Sequence, residues 1–240
     1  MGTWYDFFEE IKNIKSEFEN PETLWYRGHS SSRFELKPSL LRFKNGVDRE
    51  QFLFQRFKDY SAKIFRKNAT DWETLFDMQH YGVPTRLLDW SESPGVSIFF
   101  AVSNQFHHDE DGCFYILDPI ALNSKSGQSN IKILSDDKDF KYQSIYWEKK
   151  PFSAATPIAI GPHFRNDRIY AQKGRFTIHG EVNDPLDIQC PDVVRKIIIP
   201  KEIKGSLNEF LQISNINALT IFPDMHGIAE YIKLISDLEY

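Results

Sequence analysis

Apolar residues recur at a helical period through the first hundred positions of this chain and then give way to short apolar runs. Trp4, Phe7, Phe8, Ile11, Ile14 and Phe18 share one face of a 3.6-residue repeat, which predicts a helix over 3–19. Asn20-Pro21 ends it. A second helix is expected over 48–67 with Leu53, Phe57, Tyr60 and Ile64 as its stripe. A third is expected over 71–80, with Trp72, Leu75, Phe76 and Gln79 on one side and Asp71 as N-cap. Pro94 opens a buried helix running to Val102. Short strands are expected at 23–28, 113–117, 157–160, 174–178 and 194–199. Helices are expected again over 201–214 and 224–238, the last with Ile228, Tyr231, Ile232, Ile235 and Leu238 as its apolar side. Pro38 keeps 36–41 irregular, and the polar stretch 123–143 reads as a long loop.

Helices concentrated in the first half and strands in the second give an α+β fold. No repeat and no linker composition divides the chain, so residues 1–240 are read as one domain. A hydrophobic fraction of 41% over 240 residues excludes disorder as the main state. The net charge of −5 argues against nonspecific binding to nucleic-acid backbones, although a basic pocket fits inside an acidic protein. Cys113 and Cys190 have no CxxC company and read as reduced core thiols. No apolar run reaches membrane-spanning length, and the first residues lack a basic and apolar leader pattern. A cytoplasmic location is expected.

Walker, GxGxxG, HExxH and GxSxG patterns are absent. His107, His108, Asp109, Glu110 and Asp111 are adjacent but read as a solvated turn, so no metal is expected. Three polar clusters stand out. The densest is Met78-Gln79-His80-Tyr81-Gly82-Val83-Pro84-Thr85-Arg86-Leu87-Leu88-Asp89-Trp90. Gly82 and Pro84 impose a bend that presents an amide, an imidazole, a phenol, a guanidinium and a carboxylate together. Two readings are open: a preformed ligand pocket, or a structural turn in which Arg86 pairs with Asp89 and His80 bonds a carbonyl. The second cluster is Trp25-Tyr26-Arg27-Gly28-His29, where a guanidinium ending an aromatic strand needs an anion. The third gathers Arg165, Arg168, Lys173 and Arg175 around Gln172. It fits a phosphate site or an exposed charged face.

In this order the three clusters resemble the FRG domain family, named for a Phe/Tyr-Arg-Gly motif that stands here as Tyr26-Arg27-Gly28. Gln79 to Trp90 looks like the family's most specific block, followed by Phe99-Phe100-Ala101. Arg168-Ile169, Gln172-Lys173-Gly174-Arg175-Phe176 and Ile221-Phe222-Pro223-Asp224 with Gly227 are similar to its later elements. The resemblance spans about 22–235. It implies an ADP-ribosyltransferase-like core: a split, mixed or antiparallel sheet flanked by helices and gripping NAD. It further implies transfer of ADP-ribose to a macromolecule, protein or nucleic acid, by a bacterial or phage toxin or defence effector. The alternative is a noncatalytic module that senses NAD or ADP-ribose.

On this resemblance Arg27, Asp89 and Gln172 would be the catalytic set. Tyr26, Gln79, His80, Tyr81, Thr85, Arg86, Trp90 and Arg168 would bind the nucleotide. Arg27 would hold a phosphate or ribose, and Tyr81 or Trp90 would stack on nicotinamide. Gln172 takes the place of a late acid, which is a departure from the pattern. A charged hydrogen bond is worth about 1.5–3 kcal/mol against about 1 for a neutral one, so an amide offsets an oxocarbenium charge less well than a carboxylate, by roughly one to two orders of magnitude in rate. Asp89 or Glu181 is then the candidate to supply the charge.

Overall fold

The computed structural model of the chain describes residues 2–64, 69–127, 130–133, 140–150, 155–162 and 167–236. Helix α1 (Trp4–Glu17) starts at Thr3, which forms a capping box with Asp6. Strand β1 (Trp25–His29), helices α2 (Gly46–Ser61) and α3 (Asp71–His80), strand β2 (Leu87–Ser91) and helix α4 (Pro94–Val102) follow. Next come β3 (Gly112–Leu117), α5 (Pro119–Ser124), β4 (Lys132–Ile133), α6 (Tyr142–Tyr146) and β5 (Ile158–Gly161). The remainder is α7 (Asp167–Ala171), β6 (Gly174–Ile178), α8 (Leu186–Gln189) and β7 (Val194–Ile199), then α9 (Lys201–Ile213), α10 (Ala218–Ile221) and α11 (Met225–Ile235).

The seven strands among the described residues join one sheet in the order β4-β5-β6-β2-β1-β3-β7. Six run antiparallel, and short β4 adds in parallel to β5. The ladder is uneven. β1 pairs with β3 along its whole length, as β2 does with β6. β1 and β2 meet only at Tyr26 opposite Ser91. The sheet is therefore split at its centre.

Side-chain alternation assigns three cores to the two faces. On one face of the β2 half, Leu87, Phe176 and Ile178 pack beneath Phe54 of α2, Phe76 and Met78 of α3, and Tyr142 and Tyr146 of α6. On the same face of the β1 half, Phe114, Ile116, Ile197 and Ile199 pack beneath α1, α4 and α9. The opposite face is continuous across the split, from Ala159 through Leu88, Trp90 and Trp25 to Tyr115 and Val194. Two helical packs thus cover one face separately, with the split between them.

Several expectations need correction. The buried face of α2 is Gly46, Glu50 and Phe54, while Tyr60 and Ile64 stand 79% and 80% exposed. A carboxylate holds a core position there because it binds Arg86 (below). The N-cap of α3 is Thr70, not Asp71. Its hydroxyl accepts from the Glu73 amide at 3.2 Å, and the Glu73 carboxylate accepts from the Thr70 amide at 2.8 Å. The stretch 123–143 is not all loop, since it holds β4 and the start of α6. Residues 65–67, expected to end the second helix, and Leu238 lie outside the described residues. The apolar stripe of α11 is exposed at Ile228, Ile232 and Ile235. Both cysteines are buried and free, and among the described residues no helix is long and apolar enough to cross a membrane.

Candidate functional site in the split of the sheet

The densest polar cluster is a helix end joined to a strand. α3 stops because Gly82 adopts a φ of +77°, a left-handed conformation that costs glycine little. The Gly82 amide donates to Gln79 O at 3.2 Å and the Val83 amide to Met78 O at 2.9 Å. This reciprocal pair is a Schellman cap, and it leaves Gln79 and His80 on the last turn. The chain then enters β2, a strand buried everywhere except at Asp89. Residues 87–91 lack the alternation that flags a strand, because both faces of β2 are covered.

Between the two helical packs lies a cleft of about 320 Å³. One wall is β1, α4 and the segment after β1, with Tyr26, Arg27, Gly28, His29, Ser30, Phe34, Val96, Ser97 and Phe100. The facing wall is α3, β2, α7 and β6, with Gln79, His80, Asp89, Trp90, Arg168, Gln172 and Arg175. Its size suits a small organic ligand. All three polar clusters of the sequence meet here, and Arg27, Asp89 and Gln172 line the same cavity. Among the described residues no three His, Cys, Asp or Glu converge as metal ligands.

Arg27 sits at the split itself, with one fifth of its side chain exposed. Its Nη1 donates to Asp89 O at 2.5 Å, a carbonyl beside the interrupted β1–β2 ladder. The same nitrogen lies 3.6 Å from Asp89 Oδ2. Asp89 Oδ2 also accepts from Gln79 Nε2 at 2.7 Å, and Gln79 Oε1 accepts from the Thr85 hydroxyl at 2.5 Å. The Leu87 amide donates to that hydroxyl at 3.1 Å. A chain of hydrogen bonds thus runs from the backbone of β2 to the carboxylate facing Arg27. Burial lowers the Arg27 pKa, and Asp89 opposes the shift.

His29 completes the environment of Arg27. Arg27 Nε donates to His29 Nε2 at 2.9 Å, and His29 Nδ1 faces Phe34 O at 3.3 Å. An accepting Nε2 requires a neutral ring with its proton on Nδ1. Burial, with the Arg27 charge next in size, pushes the His29 pKa down to about 3. His179, fully buried at the end of β6, is likewise lowered to about 3 by burial. Between pH 6.5 and 3 both histidines take up protons in the unfolded chain but not in the fold. Stability is therefore lost as pH falls below 6.5, by about 2 kcal/mol per histidine at pH 5. Asp77, raised to about 6 by burial, works in the opposite direction over the same range. Denaturant titrations should give a stability lower at pH 5 than at pH 7 by about 2 kcal/mol or more. Equal midpoints with equal slopes would contradict this assignment.

The other expected site residues divide. Trp90 lines the cleft, with its ring buried and Nε1 donating to the Thr177 hydroxyl at 3.1 Å. Thr85 is buried behind Gln79 and reaches the cleft only through it. His80 lies on the wall near Arg168, and burial lowers its pKa. The Arg168 guanidinium covers the Phe222 ring at 4.5 Å. Arg175 Nε and Nη2 each lie 3.0 Å from Glu92 Oε1. Gln172 donates to Ile221 O at 3.3 Å.

Tyr81 and Arg86 are not on the cleft. Tyr81 is 62% exposed on the far side of the turn, beside Leu53 and Phe57. Arg86 is 1% exposed and pairs with Glu50, not with Asp89. Its Nε lies 2.8 and 2.9 Å from the two Glu50 oxygens, and Nη1 donates to Gly180 O at 2.8 Å. A guanidinium already saturated by protein acceptors is a structural group. Glu181 pairs with Lys149 at 3.0 Å and does not line the cleft. Arg165 lies outside the described residues. The sequence reading did not assign roles to His29, Phe34, Ser97 or Phe100. His29 carried a local signal as the residue following Tyr26-Arg27-Gly28, and Phe100 as part of Phe99-Phe100-Ala101, while Phe34 and Ser97 carried none.

No curated protein and no solved structure matches the chain. The FRG domain model does match, over residues 22–110. That segment contains β1, α2, α3, β2 and α4, which supply Arg27, His29, Gln79, His80, Asp89 and Trp90 to the cleft. The match to the FRG domain model over residues 22–110 thus covers the segment from which the walls of the cleft at the split are largely built.

Proposed function

We propose that the cleft binds NAD and that the protein is an ADP-ribosyltransferase-like enzyme acting on a macromolecule. One observation carries the reading: Arg27, Asp89, Trp90 and Gln172, distant in sequence, converge where the sheet splits. Arg27 supplies positive charge to a pyrophosphate, with Arg168 on the opposite wall. Phe34 and Phe100, both partly exposed, offer apolar surface on the wall that carries Arg27. In the reaction the bond from nicotinamide to ribose C1′ breaks, nicotinamide leaves with the bonding pair, and an acceptor nucleophile bonds to C1′. Positive charge develops on the ribose, and a carboxylate close by stabilises it. Asp89 fits that role better than Gln172. It is a carboxylate, half exposed to the cavity, and Gln79 orients it. Gln172 is an amide already bonded to a carbonyl.

A second reading has one observation in its favour. The Asp89 charge is already shared with Arg27 and Gln79, which suits a noncatalytic NAD or ADP-ribose sensor. Labelled NAD incubated with protein and cell lysate separates the two. The enzyme releases nicotinamide and labels an acceptor, and Arg27→Ala or Asp89→Asn lowers the label by about 10²-fold or more. Equal label from wild type and Arg27→Ala would overturn the transferase reading. NAD binding by calorimetry without nicotinamide release would select the sensor.

A further inference from the structure

We propose that His29 is a positioning residue that fixes the guanidinium of Arg27 and leaves Nη2 as the edge offered to an anionic ligand. The proposal deepens the nucleotide reading of the same cleft and rests on it only for the ligand.

Arginine on a strand normally samples many rotamers, and a ligand that captures it bears the ordering cost. Here the ordering is done within the fold. Arg27 Nε is held by His29 at 2.9 Å and Nη1 by Asp89 O at 2.5 Å. These bonds come from two different strands and lie on different sides of the guanidinium, so its plane is set. Among the described residues Nη2 of Arg27 has no hydrogen bond or ion pair. A phosphate therefore meets Nη2, with Nη1 partly available, and not the Nε–Nη2 pair used in most side-on contacts.

His29 can do this because its own ring is fixed. It is 6% exposed, and its ring meets Tyr115 edge-on at 5.3 Å and Phe34 at 6.3 Å. Nδ1 against Phe34 O selects the tautomer whose Nε2 accepts. The positive groups facing it, Arg27, Arg42 and Lys196, all favour the neutral ring. A protonated ring would present a donor to a donor and release Arg27.

The test compares His29→Leu, which keeps bulk and removes the acceptor, with His29→Gln, whose amide can accept from Arg27 and donate to Phe34. The direct readout is the ¹⁵N–¹H resonance of Arg27 Nε, assigned by its loss in Arg27→Lys. The expected result is a slowly exchanging resonance in wild type and His29→Gln that is lost in His29→Leu. Binding of NAD and of inorganic pyrophosphate should weaken about tenfold in His29→Leu and recover in His29→Gln. A protected Nε resonance that persists in His29→Leu would overturn the proposal. So would equal behaviour of the leucine and glutamine variants. If wild type binds neither NAD nor pyrophosphate, the nucleotide reading fails, and the resonance still decides the role of His29.

Discussion

Gly28→Ala is expected to destabilise the protein by about 3 kcal/mol or more, lowering the melting temperature by roughly 10 °C. A Cβ at position 28 would lie 1.8 Å from Ser97 O and 2.9 Å from Ala101 N. Both are backbone atoms of α4, so no side-chain rotation relieves the clash. The helix would have to retreat from β1, pulling Ile98, Ala101 and Val102 out of the core beneath α1 and α9. Val96, Ser97 and Phe100 would move with it and widen the cleft. The glycine of the Tyr-Arg-Gly motif is thus needed for the approach of a helix, whatever ligand the arginine serves. Gly205→Ala is the control. Nothing lies within 4 Å of its added methyl, and a helical glycine replaced by alanine gains about 0.5–1 kcal/mol. If Gly28→Ala melts within 2 °C of wild type by the roughly 2–4 °C per kcal/mol scale, the packing account is wrong.

Glu50→Leu is expected to cost about 3–5 kcal/mol, since removing one partner of a buried ion pair leaves the other uncompensated. Glu50 is 2% exposed and is the acceptor for Arg86, for the Tyr142 hydroxyl and for Trp147 Nε1 at 3.1 Å. Without it, Arg86 keeps, among the described residues, Gly180 O and the face of Tyr146. The double variant Glu50→Leu/Arg86→Met removes both charges and should recover part of the loss. Denaturant unfolding of the two singles and the double completes the cycle. A single variant within 1 kcal/mol of wild type, a cost typical of exposed pairs, would show that water reaches the pair.

Arg86 and Glu50 also mark where the sequence became opaque. Pro94 located the more fully buried α4, and apolar periodicity located α1 and α3 because each buries a stripe of its own residues. It misjudged α2, where the central buried position is a carboxylate whose partner lies on another element. Nothing local in the chain tells that Arg86 faces Glu50 and not Asp89. β2 was missed for a related reason: Leu87, Leu88, Trp90 and Ser91 are all buried, so inward and outward positions carry no contrast. The cleft was more legible. Its polar side chains crowd around Gly82, Pro84 and Gly28, residues that signal bends and close approaches. The roles within it were less so, because the acceptor on His29 and the split beside Asp89 are products of tertiary geometry.

The single pairing between β1 and β2 has a mechanical consequence. With one bridge at Tyr26 and Ser91, the two halves of the sheet are coupled mostly through the shared layer on the opposite face. On the cleft side the Arg27–Asp89 contact is the prominent polar tie among the described residues. An occupant touching both walls would act as a rivet across this seam. It would resist relative sliding of the halves in proportion to how tightly it grips each one. At a hundred times its dissociation constant it would add about 2.7 kcal/mol to the cohesion of the whole. On such a seam, recognition of a ligand would stiffen the joint between the two halves of the sheet.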